Sequence, residues 1–592
     1  MIVPMKKITA LIFHKEKDAF LSALQDLGVV HISLEKKDTG NESLQVLEKN
    51  IERMRTFLNA AKKQERRLPD NSGSAVVMKK DSAAVPDTFS SVEAFEKIKD
   101  EISVIDDRIE KMEREIRNLA PWGDFSRESI KRMNDIGINV RFFISPLKKF
   151  KQYEQAEIIC EEIFRDKTYA YFVVFEQGES SVIDCDEFFY PDTDFPQLET
   201  EYMKLQAEKA REQEELEAVF SRAAEVQAYY NARETELSFL TTSSSLSSAV
   251  ENTVYILSGW VPYPVLAETE KFLQEKDVYF YFSKPQPGEP VPILLRNNRF
   301  ARLFEPITKM FALPQYAELD LTAFFAPFFT LFFGFCLGDA GYGLIIVIAA
   351  LIARGKLTAD KRPITSLLMI LGASTFLFGL ISGNLFGVDL SKLPGIRKIV
   401  IFDQMQLFNA ALILGVIQVF LGMFLKALNR IRQFGFMSSL SSFGWIIMLG
   451  GLLGLSFFRP SIWVVYFGML LILLFNDLKS NIFVRLGKGA WELYGITGVF
   501  GDVLSYIRLF ALGISSSILG FVVNDIAMQC RGVPFVGYLL TFVILIIGHT
   551  GNLLLSALSS FVHPLRLTFV EFYKNAGFEG GGKAYAPFRQ IK

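Results

Sequence analysis

The sequence has little cysteine and little histidine, and neither is spaced as in a metal or catalytic site. The four cysteines and four histidines among its 592 residues are Cys160, Cys185, Cys336, Cys530, His14, His31, His549 and His563. There is no CxxC pair, no mixed Cys/His spacing and no HExxH pair, which argues against zinc and against a disulfide scaffold. This cysteine usage suits a reducing compartment. The sequence therefore predicts no catalytic residue, no metal and no cofactor.

A complete phosphate-binding loop is also missing. Residues 577–584 read GFEGGGKA, and Ala584 occupies the position where such a loop needs Ser or Thr. No strand pattern precedes this segment, and no clear helix pattern follows it. We therefore expect no nucleotide site in this chain.

Charge is scarce in the C-terminal part of the chain. Only 31 of the 128 charged residues lie in 321–592, where 21 Lys/Arg stand against 10 Asp/Glu. Residues 1–320 hold 42 basic and 55 acidic residues, so the net charge of -2 conceals two parts suited to different solvents. Residues 1–320, which hold most of the charge, are net acidic and so lack the basic face that binds phosphates. This argues against a nucleic-acid partner.

Long apolar runs follow one another from Leu321 onward, which predicts an all-α polytopic membrane domain over 321–592 in contact with lipid. A span needs about 20 mostly apolar residues. Eight such runs are visible, at 321–337, 340–354, 364–387, 407–427, 436–457, 460–476, 490–527 and 533–573. The first two share the turn GDAGYG at 338–343 and predict a helical hairpin. The last two are longer than a span and predict long, tilted helices.

The basic residues between these runs predict the orientation. If the N-terminal part is cytoplasmic, 14 basic residues fall on the inner side and 5 on the outer side. Inner loops carry the excess of Lys and Arg in membrane proteins. We therefore predict a multi-pass protein with both termini in the cytoplasm.

The N-terminal part combines strand patterns with heptads. Residues 5–13, 28–32, 139–145, 169–175, 254–257 and 278–282 read as strands, and 17–27 and 266–275 read as helices. Apolar residues in 3-4 spacing, which predict a coiled-coil seam, are Leu44, Leu47, Ile51, Met54, Leu58, Phe95, Ile98, Ile102, Ile105, Ile109, Met112, Ile116, Leu119, Leu216, Val219, Ala223, Val226 and Tyr230. The alternative is a set of amphipathic helices on a globular core.

The simplest assembly of these elements is a stalk domain over 1–320, in which two α/β lobes are joined by a long antiparallel coiled coil. A proximal lobe combines 1–35 with 250–295, the coiled coil takes 36–137 and 191–249, and a distal lobe takes 138–190. The segment 68–90 is rich in Ser, Asp and Pro and predicts a flexible interruption.

Two arginines within the apolar runs are the strongest functional candidates. Arg508 lies midway along the seventh run, where an arginine costs about 2.5–3.5 kcal/mol to insert and cannot shed its proton. Arg566 lies on the eighth run. The alternative interpretation is that Arg566 lies near the inner membrane surface and extends its side chain to water.

Several polar residues accompany these arginines and are candidates for lining an ion path. Asn552, Ser556, Ser559, His563 and Arg566 recur at spacings of three and four, which predicts one polar stripe on an otherwise apolar helix. The alternative interpretation of the acidic residues is that each is a charge at a helix end, located at the membrane interface. The complete candidate set is Glu492, Asp502, Ser505, Ser515, Ser516, Asp525, Asn552, Ser556, Ser559, His563 and Glu571.

These motifs, taken in order, resemble subunit a of the V-type and A-type rotary ATPases, which is called subunit I in prokaryotes. The resemblance covers essentially the whole chain. It is carried by LSYIRLFAL at 504–512, HPLRL at 563–567, VEF at 570–572, GDAGYG at 338–343, GWVP at 259–262 and VPILL at 291–295. Ser516 and Ser556 stand where many eukaryotic members have His and Glu. With the short chain, these replacements resemble prokaryotic members and imply a prokaryotic cell membrane.

The resemblance implies a non-catalytic stator subunit of an ion-translocating ATPase. Such a subunit provides two ion half-channels and an essential arginine, matching Arg508, that faces the carboxylates of a rotating proteolipid ring. Its movement of H+ or Na+ is coupled to ATP hydrolysis or synthesis. Arg566 resembles the second arginine of the family. The implied partners are the ring (c/K) subunits, the peripheral-stalk E/G-type heterodimers and the central-stalk ring-cap (d/C) subunit.

Two other functions fit parts of the sequence. A stand-alone secondary transporter could use Arg508 to bind an anionic substrate, although no repeat is evident across the eight runs. A structural membrane anchor with inert arginines is the third hypothesis.

Overall fold

A computed structural model describes most of the chain. The described residues are 1–33, 42–65, 88–123, 127–153, 159–177, 183, 185–189, 195–249, 253–357, 362–390, 402–456, 458–477, 480–532 and 535–591. Most of the flexible interruption that the sequence predicts at 68–90 lies outside these residues. The chain divides into two compact units, one made of Met1–Phe20, Leu27–Leu34 and Leu246–Phe588, and the other of Leu21–Asp26, Glu35–Ser245 and Arg589–Lys592.

The strands are short and antiparallel. In chain order they are β1 (Met5–Phe13), β2 (His31–Ile32), β3 (Asn139–Pro146), β4 (Cys160–Arg165), β5 (Tyr169–Glu176), β6 (Asp186–Phe188), β7 (Ser247–Ala249), β8 (Val254–Pro262), β9 (Tyr279–Ser283), β10 (Asn384–Leu385) and β11 (Val388–Asp389).

Helices make up most of the described chain. Up to residue 320 they are α1 (Lys17–Leu27), α2 (Glu42–Glu65), α3 (Thr88–Leu119), α4 (Arg127–Asp135), α5 (Leu147–Tyr153), α6 (Phe195–Phe220), α7 (Ala223–Ser245), α8 (Leu266–Glu275), α9 (Arg299–Arg302) and α10 (Glu305–Phe311). After it they are α11 (Thr322–Leu337), α12 (Ala340–Lys356), α13 (Arg362–Ser382), α14 (Gln404–Phe434), α15 (Phe436–Gly454), α16 (Ile462–Phe475), α17 (Ile482–Tyr494), α18 (Ile496–Leu504), α19 (Ile507–Cys530), α20 (Gly537–Arg566) and α21 (Tyr573–Ala576).

A five-stranded sheet forms in the residues for which the sequence predicts the proximal α/β lobe. Its order is β2-β8-β1-β9, and β7 pairs with the edge of β8. Along β1, Ile8, Thr9 and Ala10 are buried in succession, and from Ala10 to Phe13 buried and exposed residues alternate. This alternation is the period of two that a half-buried strand requires, and it confirms the strand that the sequence predicts.

The second unit contains paired helices with an apolar seam. Lys209 Nζ lies 2.6 Å from Asp106, and Tyr202 donates to Glu113 at 3.0 Å. The residue numbers on α6 fall as those on α3 rise, so the two helices are antiparallel. Helix α2 packs on α7 in the same unit. The pairing agrees with the antiparallel coiled coil that the heptads predict.

A four-stranded sheet with order β4-β5-β3-β6 lies in the second unit, in the residues for which the sequence predicts a distal lobe. Trp122 is fully buried and packs its ring against Phe142 at 5.3 Å and Phe188 at 5.2 Å. A short 3₁₀ turn, Ala120–Trp122, carries this side chain to the sheet. The connection that follows α3 is therefore fixed to the four-stranded sheet by the Trp122 ring.

The C-terminal part is helical and apolar. Five helical segments are long and apolar enough to cross a membrane, namely Arg362–Ser382, Gln404–Phe434, Phe436–Gly454, Ile482–Cys530 and Gly537–Ala576. Two shorter apolar helices are Thr322–Leu337 and Arg459–Phe475. The protein is therefore a membrane protein, and the count of eight crossings stays a prediction.

The seventh predicted run is broken into α17, α18 and α19. The first break is at Gly495, and the second is at Ser505 and Tyr506, directly before Arg508. Helices α18 and α19 are joined by tight i to i−3 bonds, in which Arg508 N–H donates to Ser505 C=O at 3.3 Å. The spacing of apolar residues does not reveal these breaks, because the chain stays helical on both sides of each of them.

The eighth predicted run is also interrupted. Pro564 lies inside α20, and a π-helical turn, Leu567–Phe572, follows it before α21 begins. Proline has no N–H to donate to the preceding turn, and π-helical turns occur mostly at such irregular points. The helix geometry therefore changes immediately after Arg566.

Candidate functional site

Arg508 is the second residue of α19. Its guanidinium atom Nη1 is buried and has no hydrogen-bond partner among the described residues. Tyr506 fixes the start of this helix, because its hydroxyl donates to Gln418 Oε1 at 2.7 Å and its ring lies against Gly415. The chain thus holds a permanent cation at a fixed point and leaves one of its donors unused.

Three titratable side chains lie close enough to interact electrostatically with Arg508, namely Cys336, His563 and Glu571. His563 Nδ1 and Glu571 Oε2 are both buried and lack a partner in the part of the chain that the structure describes. Most buried polar atoms in proteins are hydrogen-bonded, so an unpartnered arginine nitrogen with two unpartnered atoms on neighbouring side chains requires a reason. Water, a transported ion or a second protein could supply the missing partner.

Arg566 lies one helical turn after His563. It is exposed on the surface of this chain, whereas Pro564 and Leu567 beside it are buried. Its charge also acts on His563 and Glu571. The two arginines therefore share neighbours, although only Arg508 has a buried, unpartnered nitrogen.

Asp502 is held in an ion pair. Both of its carboxylate oxygens lie 3.1 Å from Lys574 Nζ, and Asn575 Nδ2 donates to it at 2.9 Å. The Asp502 side chain is 12% exposed and that of Lys574 is 59% exposed. These bonds connect α18 to α21 and use the oxygens that a channel-lining carboxylate would offer to an ion.

Glu492 and Ser505 are also bonded within this region. Glu492 accepts from the Ser441 hydroxyl at 3.3 Å and from Trp445 Nε1 at 3.3 Å. Ser505 Oγ donates to the carbonyl of Gly501 at 3.0 Å.

Asp525 and Ser515 lie on the exposed surface of α19. Asp525 accepts from Gln529 Nε2, one turn later, at 2.8 Å. The structure does not bring Asp525 near Arg508, because 17 residues of helix separate them by about 25 Å at 1.5 Å per residue.

The polar stripe of α20 is divided between two environments. Asn552 is buried, and its Nδ2 donates to the Ser516 carbonyl at 3.1 Å, while Ser556 Oγ donates to Asn552 Oδ1 at 2.9 Å. Ser516 itself is buried, and its hydroxyl has no partner among the described atoms. Ser559 is half-buried between these groups and His563.

The sequence interpretation missed three residues that complete this network. Tyr342 hydroxyl lies 2.9 Å from Asn552 Nδ2 and 2.7 Å from His549 Nδ1. His549 Nε2 lies 3.0 Å from Asn524 Oδ1. His549 has a spacing of three from Asn552 and could have been included in the stripe, whereas Tyr342 is more than 200 positions away and gives no local signal.

Asp339 anchors a hairpin formed by β10 and β11. Its carboxylate is buried and accepts from the backbone N–H groups of Gly341 and Tyr342 at 2.8 and 3.1 Å. It also accepts from Phe386 and Gly387 at 3.0 and 2.9 Å. The GDAGYG motif therefore caps α12 and holds this hairpin with one side chain.

No cluster of three or more metal-ligating side chains occurs in the described ranges. The site is thus built from a cation, a few titratable groups and neutral polar side chains.

The chain is similar in sequence to several known proteins. A family model described as the V-type ATPase 116kDa subunit family matches residues 190–369. The chain is 26% identical to the V-type ATP synthase subunit I of Borreliella burgdorferi over the full length of both chains. It is 31% identical to the A-type ATP synthase subunit I of Methanothermobacter thermautotrophicus, over 57% of this chain and 52% of that one.

A third relative is the A-type ATP synthase subunit I of Methanocaldococcus jannaschii, 28% identical over 57% of this chain and 55% of that one. Among solved structures, the cytoplasmic N-terminal domain of a subunit I is matched over 47% of this chain and all of that one, with 16% identity and a TM-score of 0.20. The chain belongs to the V-type/A-type ATP synthase subunit I family and is a membrane subunit of a multisubunit rotary ATPase.

Proposed function

We propose that this chain is the stator of its rotary ATPase and that Arg508 faces the carboxylates of a rotating proteolipid ring. The observation that carries the proposal is the buried, unpartnered Nη1 of Arg508 beside the unpartnered atoms of His563 and Glu571. A ring carboxylate that arrives at Arg508 would be an acceptor for the unused donor.

The charge of Arg508 explains how such a contact moves an ion. A guanidinium cannot be discharged at physiological pH. Its field favours the ionised form of a nearby carboxylate, so H+ or Na+ leaves the ring site before that site passes the arginine. The same charge repels a cation that would otherwise leak directly across the membrane. Rotation of the ring is therefore required for net transport, which couples transport to ATP hydrolysis or synthesis.

The two ends of α14 define the two sides of the membrane part. The C-terminal half of α14 packs against the segment that leads back to the five-stranded sheet, with Gly422 against Asn575 and Lys426 against Gly577. This segment continues to Ala584 and Phe588, which bond to Ile293 and Val30. The helix has 31 residues and is about 45 Å long, so its first residues lie on the other side. We call these the lobe side and the far side. Glu571 lies towards the lobe side of Arg508, and we propose it as the relay for ions on that side.

The remaining assignments follow the family. Residues 1–320 form a cytoplasmic stalk, both termini are cytoplasmic, and the α/β lobes bind the peripheral-stalk heterodimers. The ring and the central-stalk ring-cap subunit complete the set of partners. The lobe side is then the cytoplasmic side.

Substitution of Arg508 in the whole complex tests the proposal. We expect Arg508→Ala and Arg508→Lys to abolish ATP-driven ion uptake into vesicles while the complex still assembles. Arg531→Ala is the matched control, because Arg531 lies at the far end of the same helix pair over the Tyr538 ring and should transport normally. Normal uptake by the Arg508 variants would overturn the proposal. So would saturable solute transport by the purified chain alone in liposomes, since that is the behaviour of a secondary transporter.

A further inference from the structure

The β10–β11 hairpin lies on the far side of the membrane part and contains an unfavourable turn. Asn384 lines the same cavity as Gln404, the first residue of α14, which places the hairpin on that side. The two residues between the strands, Phe386 and Gly387, have φ values of +50° and +70°. Two-residue hairpins favour such a turn, but a phenylalanine persists in this conformation only where its surroundings fix it. Contacts from outside the hairpin must therefore stabilise the turn.

Asp339 supplies such contacts, because its carboxylate bonds to the turn and to a membrane helix at the same time. Oδ1 accepts from the Phe386 N–H at 3.0 Å, and Oδ2 accepts from the Gly387 N–H at 2.9 Å. Oδ1 also accepts from Gly341 and Tyr342 in the first turn of α12. The Phe386 ring lies over Gly341, where a Cβ atom would be 2.5 Å from it. The buried carboxylate therefore fixes the hairpin to α12.

The hairpin also contacts α19 at three points. Asn384 Nδ2 donates to Ser517 Oγ at 2.9 Å, and Asn524 Nδ2 donates to the Phe386 carbonyl at 2.7 Å. Gly520 lies between these two bonds and meets the glycine of the turn with no space for a Cβ atom. The contacts extend from Ser517 to Asn524, a rise of about 10 Å along the helix.

These contacts lie on the side of α19 that faces away from Arg508. The three helix residues that make them lie about 120–180° around the axis from Arg508, because successive helix residues turn by about 100°. The apolar residues on the Arg508 side are exposed on the surface of this chain, namely Leu519, Val522 and Ile526. In the stator proposed above, this exposed side is the one that the ring meets. The hairpin therefore supports α19 from the side opposite the ring.

Tyr506 gives α19 a fixed point at its start, through the bond of its hydroxyl to Gln418. The helix begins directly after the break at Ser505 and Tyr506. A break at the end of a helix can absorb a change in backbone angle, so a single fixed point there does not set the direction of the helix. The contacts with the hairpin give α19 a second fixed point, centred on Gly520 and about 20 Å further along. The two points together determine the direction of the helix that carries Arg508.

We propose that Asp339 is a positioning residue of the stator and that, through the hairpin, it sets how closely the Arg508 side of α19 approaches the ring. The proposal rests on the stator function and adds a residue that acts on the ring contact from a distance. A wider gap would admit water, which raises the local dielectric constant and weakens the field of Arg508 at a ring carboxylate. Some ions would then return through the gap, so each ATP would move fewer ions. The alternative is that Asp339 only caps α12.

The ratio of ion uptake to ATP hydrolysis, measured on vesicles that contain the whole complex, tests this role. In Asp339→Asn the remaining oxygen can still cap α12, but an NH2 group replaces the acceptor of the Gly387 N–H. We expect this variant to take up about threefold fewer ions per ATP, or fewer still, because the field of Arg508 weakens across a wetter gap. A merely structural role would reduce the amount of complex and hence both rates together, and their ratio would stay the same.

Asp403→Asn is the matched control. Asp403 caps α14 on the same side of the membrane part, in a capping box with Gln406, and asparagine caps helices as well as aspartate does. This variant should keep the parental ratio. Asn524→Leu is an independent variant if Asp339→Asn fails to assemble, since it removes a bond between α19 and the turn and leaves the α12 cap in place. It should lower the ratio in the same direction as Asp339→Asn.

A covalent link between hairpin and helix completes the test. In a background without the four native cysteines, Asn384→Cys and Ser517→Cys are combined and oxidised, because the native side chains meet at 2.9 Å. In Asp339→Asn this disulfide should return the ions taken up per ATP towards the parental value, since it replaces the lost attachment. Absence of the disulfide when Asp339 is present would contradict the close contact. A disulfide that forms without restoring the ratio would overturn the positioning role.

The positioning role and the stator function can fail separately. A parental ratio in both Asp339→Asn and Asn524→Leu, beside an inactive Arg508→Ala, would overturn the role of Asp339 alone. Normal uptake by Arg508→Ala would overturn the stator function itself.

Discussion

Single residues set how closely the far-side hairpin approaches α19. Gly387 has a φ of +70°, in the region that favours glycine. A Cβ atom built on it would lie 2.3 Å from the backbone carbon of Gly520. The hairpin therefore meets α19 through two glycines, and both the conformation and the contact require the absence of a side chain.

We predict that Gly387→Ala destabilises the membrane part by about 1–3 kcal/mol, from the strained φ and the forced separation of hairpin and helix. The measurement is the thermal unfolding midpoint of the purified chain in detergent. Gly355→Ala is the matched control, since its Cβ would meet nothing within 4 Å and alanine favours a helix. A midpoint unchanged in Gly387→Ala would contradict the close approach.

At the scale of elements, the paired helices of the second unit are stabilised by a cluster of aromatic rings. The centroids of Phe57, Phe95 and Phe220 lie 5.4, 5.6 and 5.8 Å apart. Phe57 is fully buried, and it comes from α2, whereas the other two come from α3 and α6. The cluster therefore connects three helices that are far apart in sequence.

We predict that Phe57→Ala lowers the stability of this helical region by about 3–5 kcal/mol, because it leaves a cavity in a packed core. Hydrogen exchange of peptides from α3 and α6 in the full chain should speed up accordingly. Exposed Val46→Ala on the same helix should leave that exchange unchanged. Equal protection in both variants would show that the rings do not stabilise the seam.

The distal sheet contains an ion pair whose strength depends on pH. Arg141 donates to Glu187 from Nε and Nη2, both at 2.8 Å, and this holds the pKa of Glu187 below its usual value of 4.5. A lowered folded-state pKa means that the pair stabilises the sheet fully above pH 4.5 and loses this effect as pH falls through the lowered pKa.

We therefore predict that protection of β3 and β6 in the full chain, corrected for intrinsic exchange rates, falls between pH 5 and pH 3 in the parent. In Glu187→Gln the protection at neutral pH should be lower by about 1 kcal/mol or less and should change less over this interval. An identical pH response in both proteins would exclude this pair as its source.

At the scale of the whole molecule, one compact unit contains both the proximal lobe and the membrane helices, and the C-terminal segment helps to join them. Ala584 pairs with Ile293, and the Phe588 N–H donates to the Val30 carbonyl at 2.8 Å. Buried Glu318 accepts from the N–H groups of Glu579 and Gly580 at 2.7 and 3.3 Å. The segment that nearly matches a phosphate-binding loop therefore has a structural role in this unit.

We predict that Glu318→Ala loosens this segment and speeds trypsin cleavage after Lys583 by about tenfold or more, because the backbone N–H groups of Glu579 and Gly580 lose their acceptor. The native complex is digested with trypsin for limited times, and mass spectrometry measures the rate at which the cleaved product appears. Glu579→Ala is the control, since Glu579 is exposed and uses only its backbone in this contact. Cleavage at the same rate in both variants would contradict the anchoring role.

The sequence by itself determined the features that repeat locally. Strand β1 and helix α1 begin and end at the residues that periodicity predicted, and the apolar runs locate the membrane helices, because burial repeats along each element. Only the tertiary structure decided which polar side chains are free to act. Asp502 is paired with Lys574, Asn552 with Tyr342, and Arg508 has an unpartnered nitrogen. Each of these states depends on a contact, or the lack of one, between residues far apart in the chain, and no local pattern records it.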